Sequence, residues 1–229
     1  MKIAIIPARA GSKRIPLKNI KDFCGKPMVG WAISAAKESG LFDHIVVSTD
    51  DKKIAEIARS FGAETPFVRP DYLADDFTPT VPVIAHAINS CLEIGWVAEY
   101  VCCIYPCVPF LQMNDLVAAF KLAQKPEIDF VYPVTEYPHP IQRAMMQLPN
   151  GRMQFFAPEN ELKRTQDLER SFHDAGQFYW GKVSAWTAKE RMHANGFGMA
   201  IPNWRVVDID NEDDWRRAEL MFHSIISTP

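Results

Sequence analysis

Met1–Asn19 reads MKIAIIPARAGSKRIPLKN. Lys2–Pro7, built on the apolar run Ile3–Pro7, reads as a buried strand, and it passes directly into a loop carrying Arg9, Lys13, Arg14 and Lys18. Strand first, cationic loop second is the order expected at the carboxyl edge of an open parallel sheet, where such folds bind their ligands. The chain as a whole is slightly acidic, at −3. The positive charge is therefore local, which suits a compact polyanion and argues against nonspecific nucleic-acid binding. Gly11 allows backbone angles that let successive N–H groups converge on an anion. Arginines could add two-pronged contacts. GSKRIPLKN lacks the second glycine and the Gly-Lys-Ser/Thr ending of a P-loop, and it is not GxGxxG. The alternative reading is a solvated basic turn.

Working outward, the rest of the chain keeps the same alternation. A helix is expected over Pro27–Ser39, a strand at His44–Ser48, and a helix capped by Asp50 or Asp51 with Ile54, Ile57, Ala58 and Phe61 on one face. A strand at Glu64–Val68 follows, then a Pro- and Asp-rich loop and a helix near Val81–Ile94. Next come a strand at Tyr100–Tyr105, a helix capped by Asn114, and a strand at Phe130–Val134. This pattern predicts an α/β fold of three layers, a mainly parallel sheet with helices on both faces, in one domain spanning 1–229. The rhythm breaks over 135–175, a Pro-, Gln- and Arg-rich stretch in which Asn150-Gly151 predicts a tight hairpin turn with positive φ. This stretch is either an inserted arm or a surface excursion. Regular structure is expected again at Gln177–Ser184, through WRVVDID, and in a closing helix Glu212–Ile226.

At 229 residues and 48% hydrophobic the chain can bury one sizeable core. No apolar stretch approaches the roughly 18 residues that span a bilayer. The first apolar run is too short for a signal peptide. The five cysteines include the cluster Cys102, Cys103 and Cys107 without a CxxC pair. They read as reduced thiols of a cytoplasmic protein rather than as zinc ligands.

VVDID sets Asp208 and Asp210 two residues apart, so in an extended segment both carboxylates leave one face. Oxygen ligands on one face suit a hard divalent cation such as Mg²⁺, which could bridge phosphate oxygens and offset charge on a leaving group. Asp210 or Asn211 could instead cap the following helix. Two bare aspartates repel without a cation.

IPARAGSKRIPLKN strongly resembles the signature of the CMP-sialic acid synthetase family, the cytidylyltransferases that activate nonulosonic acids. The likeness continues through IVVSTDD, FVRPDYLADD, YPCVPFL and VVDID. HDAGQFYWG, with RTQDLE and PIQRA, most resembles the pseudaminic acid branch. Two departures are Ala10, where many relatives have glycine, and Cys107, where a small hydroxyl residue is usual. The resemblance implies a Rossmann-like nucleotidyltransferase fold with an inserted dimerisation arm, CTP and a nonulosonic acid as substrates, Mg²⁺ at Asp208 and Asp210, and a homodimer. It implies nucleotide contacts from Ala8, Arg9, Ala10, Gly11, Ser12, Lys18 and Asn19, and from Arg69, Thr78 and Thr80. Arg9, Lys18, Asp208 and Asp210 would be the catalytic set. The implied sugar side is Tyr105, Gln142, Arg164, Gln166, His173, Asp174, Gly176, Gln177 and Tyr179. Arg164 is the expected partner of the sugar carboxylate, and Tyr105 stands where sialate enzymes usually carry glutamine. Pseudaminic acid is the expected sugar, with legionaminic or N-acetylneuraminic acid as alternatives. A DxD-type glycosyltransferase and a non-catalytic nucleotide-binding protein are the rival functions. The first explains the acidic pair but not the basic loop, and the second is disfavoured by the presence of Arg9, Lys18, Asp208 and Asp210 together.

Overall fold

The fold is described from a computed structural model, over residues 1–188, 191–193 and 195–226. Seven strands form the main sheet: β1 (Lys2–Pro7), β2 (His44–Ser48), β3 (Tyr100–Ile104), β4 (Phe130–Glu136), β5 (Phe172–Asp174), β6 (Phe178–Lys182) and β7 (Gly196–Ala200). Their order is β7-β4-β6-β3-β1-β2, with β5 also paired to β4. β1 pairs in parallel with β2 and β3, and β7 in parallel with β4. β6 lies antiparallel between β3 and β4, and β5 is antiparallel to β4. The sheet is thus mainly parallel with a reversed strand at its centre.

Side-chain alternation along β1 sorts the core into two layers. Ala4 and Ile6 pack with α1 (Met28–Glu38), α2 (Lys52–Ser60) and α4 (Met113–Ala123). Ile3 and Ile5 pack with α3 (Thr80–Glu93) and α5 (Val183–Thr187) on the other face. The adjacent Cys102 and Cys103 fall into opposite layers, so the sequence cluster is not a spatial one. All five cysteines are free. Phe178 and Trp180 face the first layer and Tyr179 the second. The closing helix α6 (Glu212–Ile226) lays Trp215, Ala218 and Phe222 on Phe23, Met28 and Ile209, a third small core beneath the basic loop.

Five expectations change, and one open alternative, the cap of α2, is resolved. Glu64–Val68 is not a strand: only Glu64 bridges to Val46, because Pro66 has no N–H to continue the ladder. Asp51, not Asp50, caps α2, accepting from the Ile54 amide at 2.8 Å. Asn114 lies inside α4, whose N-cap is Gln112 with no side-chain bond. In the hairpin that joins Met145–Gln147 to Met153–Phe155, Gly151 alone supplies the positive φ (82°), and Asn150 does not. The excursion is also shorter than 135–175, since Thr135 and Glu136 pair with His173 and Phe172 in the main sheet. Finally, Val206–Asp210 is unpaired chain; Ile209 is buried under α6 while Arg205 forms a buried ion pair with Asp115 at 2.6 Å, so packing, not a ladder, holds it straight.

Candidate active site

Beyond Pro7 the chain continues alongside β2, with the Ala8 amide donating to Ser48 O at 2.9 Å. The loop that follows is fixed from below. Buried Asn19 donates to the Arg9 carbonyl at 2.9 Å, and Asp50, freed from capping, accepts from the Ala10 amide at 3.0 Å. Gly11 is not the left-handed residue of this loop. Leu17 is, at φ 54°, a conformation that costs a non-glycine residue about 1 kcal/mol. Leu17 O accepts from the Ile20 and Lys21 amides at 2.9 and 3.0 Å, and the turn aims Lys18 inward, where its ammonium donates to Ile209 O at 2.7 Å. A Cβ on Gly11 would meet nothing within 4 Å, which leaves that side of the loop open to a ligand.

Two clefts meet here. The first, about 430 Å³, is walled by Arg9, Ser12, Lys13, Arg14, Lys18 and Asn19, with Asp76 opposite. The second, about 620 Å³, runs from Tyr105 and Cys107 past His173–Gly176 to Asp208, Asp210 and Arg217. Lys18, Pro106 and Asp210 belong to both walls. The cations of the first cleft are held by carboxylates. Arg9 lies 3.0 Å from Asp76, which also binds Lys13, and Arg14 lies 2.7 Å from Asp210. The Lys13 ammonium is the main reason the Asp76 carboxyl sits below its ordinary range.

Asp208 and Asp210 both line the second cleft, with buried Ile209 between them. Desolvation within the cleft, and then repulsion from Asp210, raises the Asp208 pKa above its ordinary value. The capping alternative is settled in favour of Asn211. Its side chain accepts from the Asp214 amide at 2.9 Å, and Asp214 Oδ2 accepts in return from the Asn211 and Asp210 amides at 3.2 and 3.1 Å. This reciprocal box, worth about 1 kcal/mol, releases the Asp210 carboxylate for other work. Among the described residues no three His, Cys, Asp or Glu side chains group as a metal cage. Two carboxylates in one cleft, with substrate phosphates to complete the shell, are a donor set that fits Mg²⁺.

On the far wall, Asp174 closes a turn by accepting from the Gly176 amide at 2.7 Å, with Gly176 at φ 62°. Its Oδ2 accepts from Tyr179 Oη at 2.7 Å and lies 2.7 Å from His193 Nε2. Burial, reinforced by the nearby Tyr105 and Asp174, lifts the Tyr179 phenol well above its ordinary value. Burial likewise pushes the Cys107 thiol to about 11, which keeps it protonated and removes it as a nucleophile.

Several expected contacts lie elsewhere. Arg69 is 3% exposed, bound to Ser48 through its Nε and Nη2, and burial lowers it to about 10; it supports β2 and walls neither cleft. Thr78 closes a turn on Asp75 at 2.7 Å, and Thr80 bonds Tyr105 Oη at 2.9 Å. Gln177 is 4% exposed and donates to Arg205 O at 2.8 Å. Gln142 donates to Glu169 O at 2.9 Å, Arg164 pairs with Asp167 at 2.8 Å, and Gln166 is exposed; none of the three lines either of the two clefts. The expected site did not include Asp76, His193 or Arg217. Of these only Arg217 had a signal, since it falls two helical turns beyond Asp210.

A cytidylyltransferase family model matches residues 3–182. Pseudaminic acid cytidylyltransferase of Campylobacter jejuni is 38% identical over 223 residues, 96% of this chain and 95% of that protein. The CMP-N,N'-diacetyllegionaminic acid synthase of Legionella pneumophila is 38% identical over 120 residues, 52% of each chain. The CMP:2-keto-3-deoxy-manno-octonic acid synthetase solved with CTP superposes with a TM-score of 0.70 at 15% identity, over 98% of this chain and 99% of that one, a likeness of fold.

Proposed function

The chain belongs to the cytidylyltransferase family, and from that premise we propose that it couples CTP to pseudaminic acid, giving the CMP-sugar and pyrophosphate. The observation that carries the reading is the seam of the two clefts. A basic wall suited to a triphosphate and a polar wall suited to a sugar share Lys18 and Asp210. A reacting pair held on either side of such a seam needs alignment and charge more than covalent chemistry. The sugar's anomeric oxygen attacks the α-phosphorus, the new O–P bond forms as the α–β bridge breaks, and pyrophosphate leaves with its charge. Membership of this family sets glycosyl transfer aside.

Arg9, Lys13, Arg14 and Lys18 take the phosphates. Phosphate oxygens would replace the carboxylates that pair with these cations. Asp208 and Asp210 would then be the residues that hold a divalent cation. Mg²⁺, when bound there, would offset the charge of the departing pyrophosphate. Release of pyrophosphate from CTP and free sugar tests the reading, and binding of CTP without turnover would overturn it.

Sugar choice should be sharp, because a buried polar wall built for one stereoisomer leaves groups unpaired with another. His173 and Asp174 stand on that wall, and buried Tyr179 behind it holds Asp174 through its Oη. With CTP, kcat/KM for pseudaminic acid should exceed that for legionaminic and N-acetylneuraminic acids by about a hundredfold. Equal or better use of N-acetylneuraminic acid would refute the sugar assignment and leave the family untouched.

The chain acts as a homodimer in this reading. The segment between β4 and β5 exposes Met153 at 55%, Phe156 at 65% and Leu162 at 95%, an apolar strip suited to a two-fold partner. Gln142, Arg164 and Gln166 lie in the same segment and would reach the partner's sugar cleft rather than their own. Light scattering should give twice the chain mass, and Phe156→Glu with Leu162→Glu should give monomers with impaired sugar use. A fully active wild-type monomer would contradict this.

A further inference from the structure

We propose that Arg217 binds the carboxylate of the sugar substrate, an assignment that rests on the cytidylyltransferase reading above. The second cleft is acidic. Asp174, Asp208 and Asp210 line it, and the cations on its wall are Lys18 and Arg217. An anionic substrate entering such a space needs a cation whose donors are available.

Lys18 is committed. Its ammonium donates to Ile209 O at 2.7 Å, stands 3.8 Å from Asp210, and its side chain is only 22% exposed. Asp174 is saturated by Gly176, Tyr179 and His193. His173 Nδ1 lies 2.9 Å from the Asp174 carbonyl, which can only accept, so that nitrogen's proton is already used within the chain. Arg217 differs from all of these. Its guanidinium has a loose 3.6 Å contact with Asp214 and remains 61% exposed. Asp214 itself is engaged in the helix cap through its other oxygen. The planar fork of Arg217 is thus the cation of this cleft with donors to spare, and a carboxylate is the group that its two parallel N–H bonds match.

Arg164, whose sequence context suggested this function, walls neither cleft of its own chain; in the dimer read above it would meet the sugar only from the partner and only by giving up its 2.8 Å pair with Asp167, whereas Arg217 stands on the cleft with its donors available. A carboxylate seated on Arg217 would lie in the first turns of α6, in the same cleft as Asp208 and Asp210.

The test compares wild type with Arg217→Ala and Arg217→Lys, using pseudaminic acid and its methyl ester as probes. Arg217→Ala should raise KM for the acid by about tenfold to a hundredfold, with KM for CTP unchanged. Arg217→Lys should recover part of the loss. With the methyl ester, wild type and Arg217→Ala should bind alike. A defect in KM for CTP, or unchanged use of the acid, would overturn the assignment. Titration calorimetry of the acid against both proteins reads the same contact without turnover. Equal affinities refute the function of Arg217, whereas absence of wild-type turnover refutes the cytidylyltransferase reading instead.

Discussion

Asp208→Asn should lower turnover by about a hundredfold to a thousandfold at saturating CTP and Mg²⁺, because on the proposed reading an amide then replaces one of the two carboxylates offered to the cation and one unit of negative charge is lost beside the leaving group. Stability should hardly change. Asp208 faces the cleft, its carboxyl makes no hydrogen bond among the described residues, and its neighbour Asp210 repels it. The substitution therefore relieves repulsion while removing function. Asp210→Asn is the companion. Because Asn211 and Asp214 form the cap of α6 by themselves, this change should also leave the helix intact while loosening Arg14 and the cation. Thermal melts with CTP, with and without Mg²⁺, provide the second readout: the metal-dependent rise of the wild type should be diminished in both variants. Turnover of Asp208→Asn within a few-fold of wild type would remove Asp208 from the metal site.

Lys18→Ala should lower kcat/KM for CTP by about a hundredfold or more, with much of the loss in kcat, since Lys18 stands on the wall common to both clefts. Arg9→Ala should act differently. Arg9 belongs to the triphosphate wall alone, so its loss should appear in KM for CTP and leave the sugar's KM unchanged. Lys18→Arg is not expected to rescue. The ammonium reaches Ile209 O at 2.7 Å from a side chain mostly enclosed by its surroundings, and a planar fork needs more width than that passage gives. A kinetic defect of either alanine variant confined to the sugar's KM would refute the division between the clefts.

The strands β1 and β2 were readable to the residue, because short branched apolar runs ending in Pro7 and in Ser48-Thr49 have no competing period. The reversed direction of β6 was not, since side-chain alternation encodes burial and carries no sign for chain direction. VVDID looked regular because Ile209 alternates with two aspartates, yet that alternation comes from packing on α6 with no ladder partner. The acidic pair and the cationic loop were legible as local spacing and charge. Asp76 and Arg217 were not part of that reading, because their place in the clefts depends on how distant segments meet. Arg69 and Gln177 went the other way: their motif context pointed to ligand contact, and burial ties them to Ser48 and Arg205 O.

The antiparallel β6 gives the sheet an unusual order of assembly. β3 and β4 run in the same direction, and the strand that joins them is made only after the whole excursion between β4 and β5. During synthesis, the β2-β1-β3 half can pair as it emerges, but β3 then carries an open edge from Tyr100 to Ile104 until Phe178–Lys182 arrives. An open edge of that composition is a template for the wrong partner, including the same edge of a neighbouring nascent chain. Truncation anywhere between Tyr105 and Gln177 should therefore yield aggregates rather than a smaller nucleotide-binding fragment. The excursion, whatever it does in the finished enzyme, also sets how long the ribosome-bound chain must keep that edge from its neighbours.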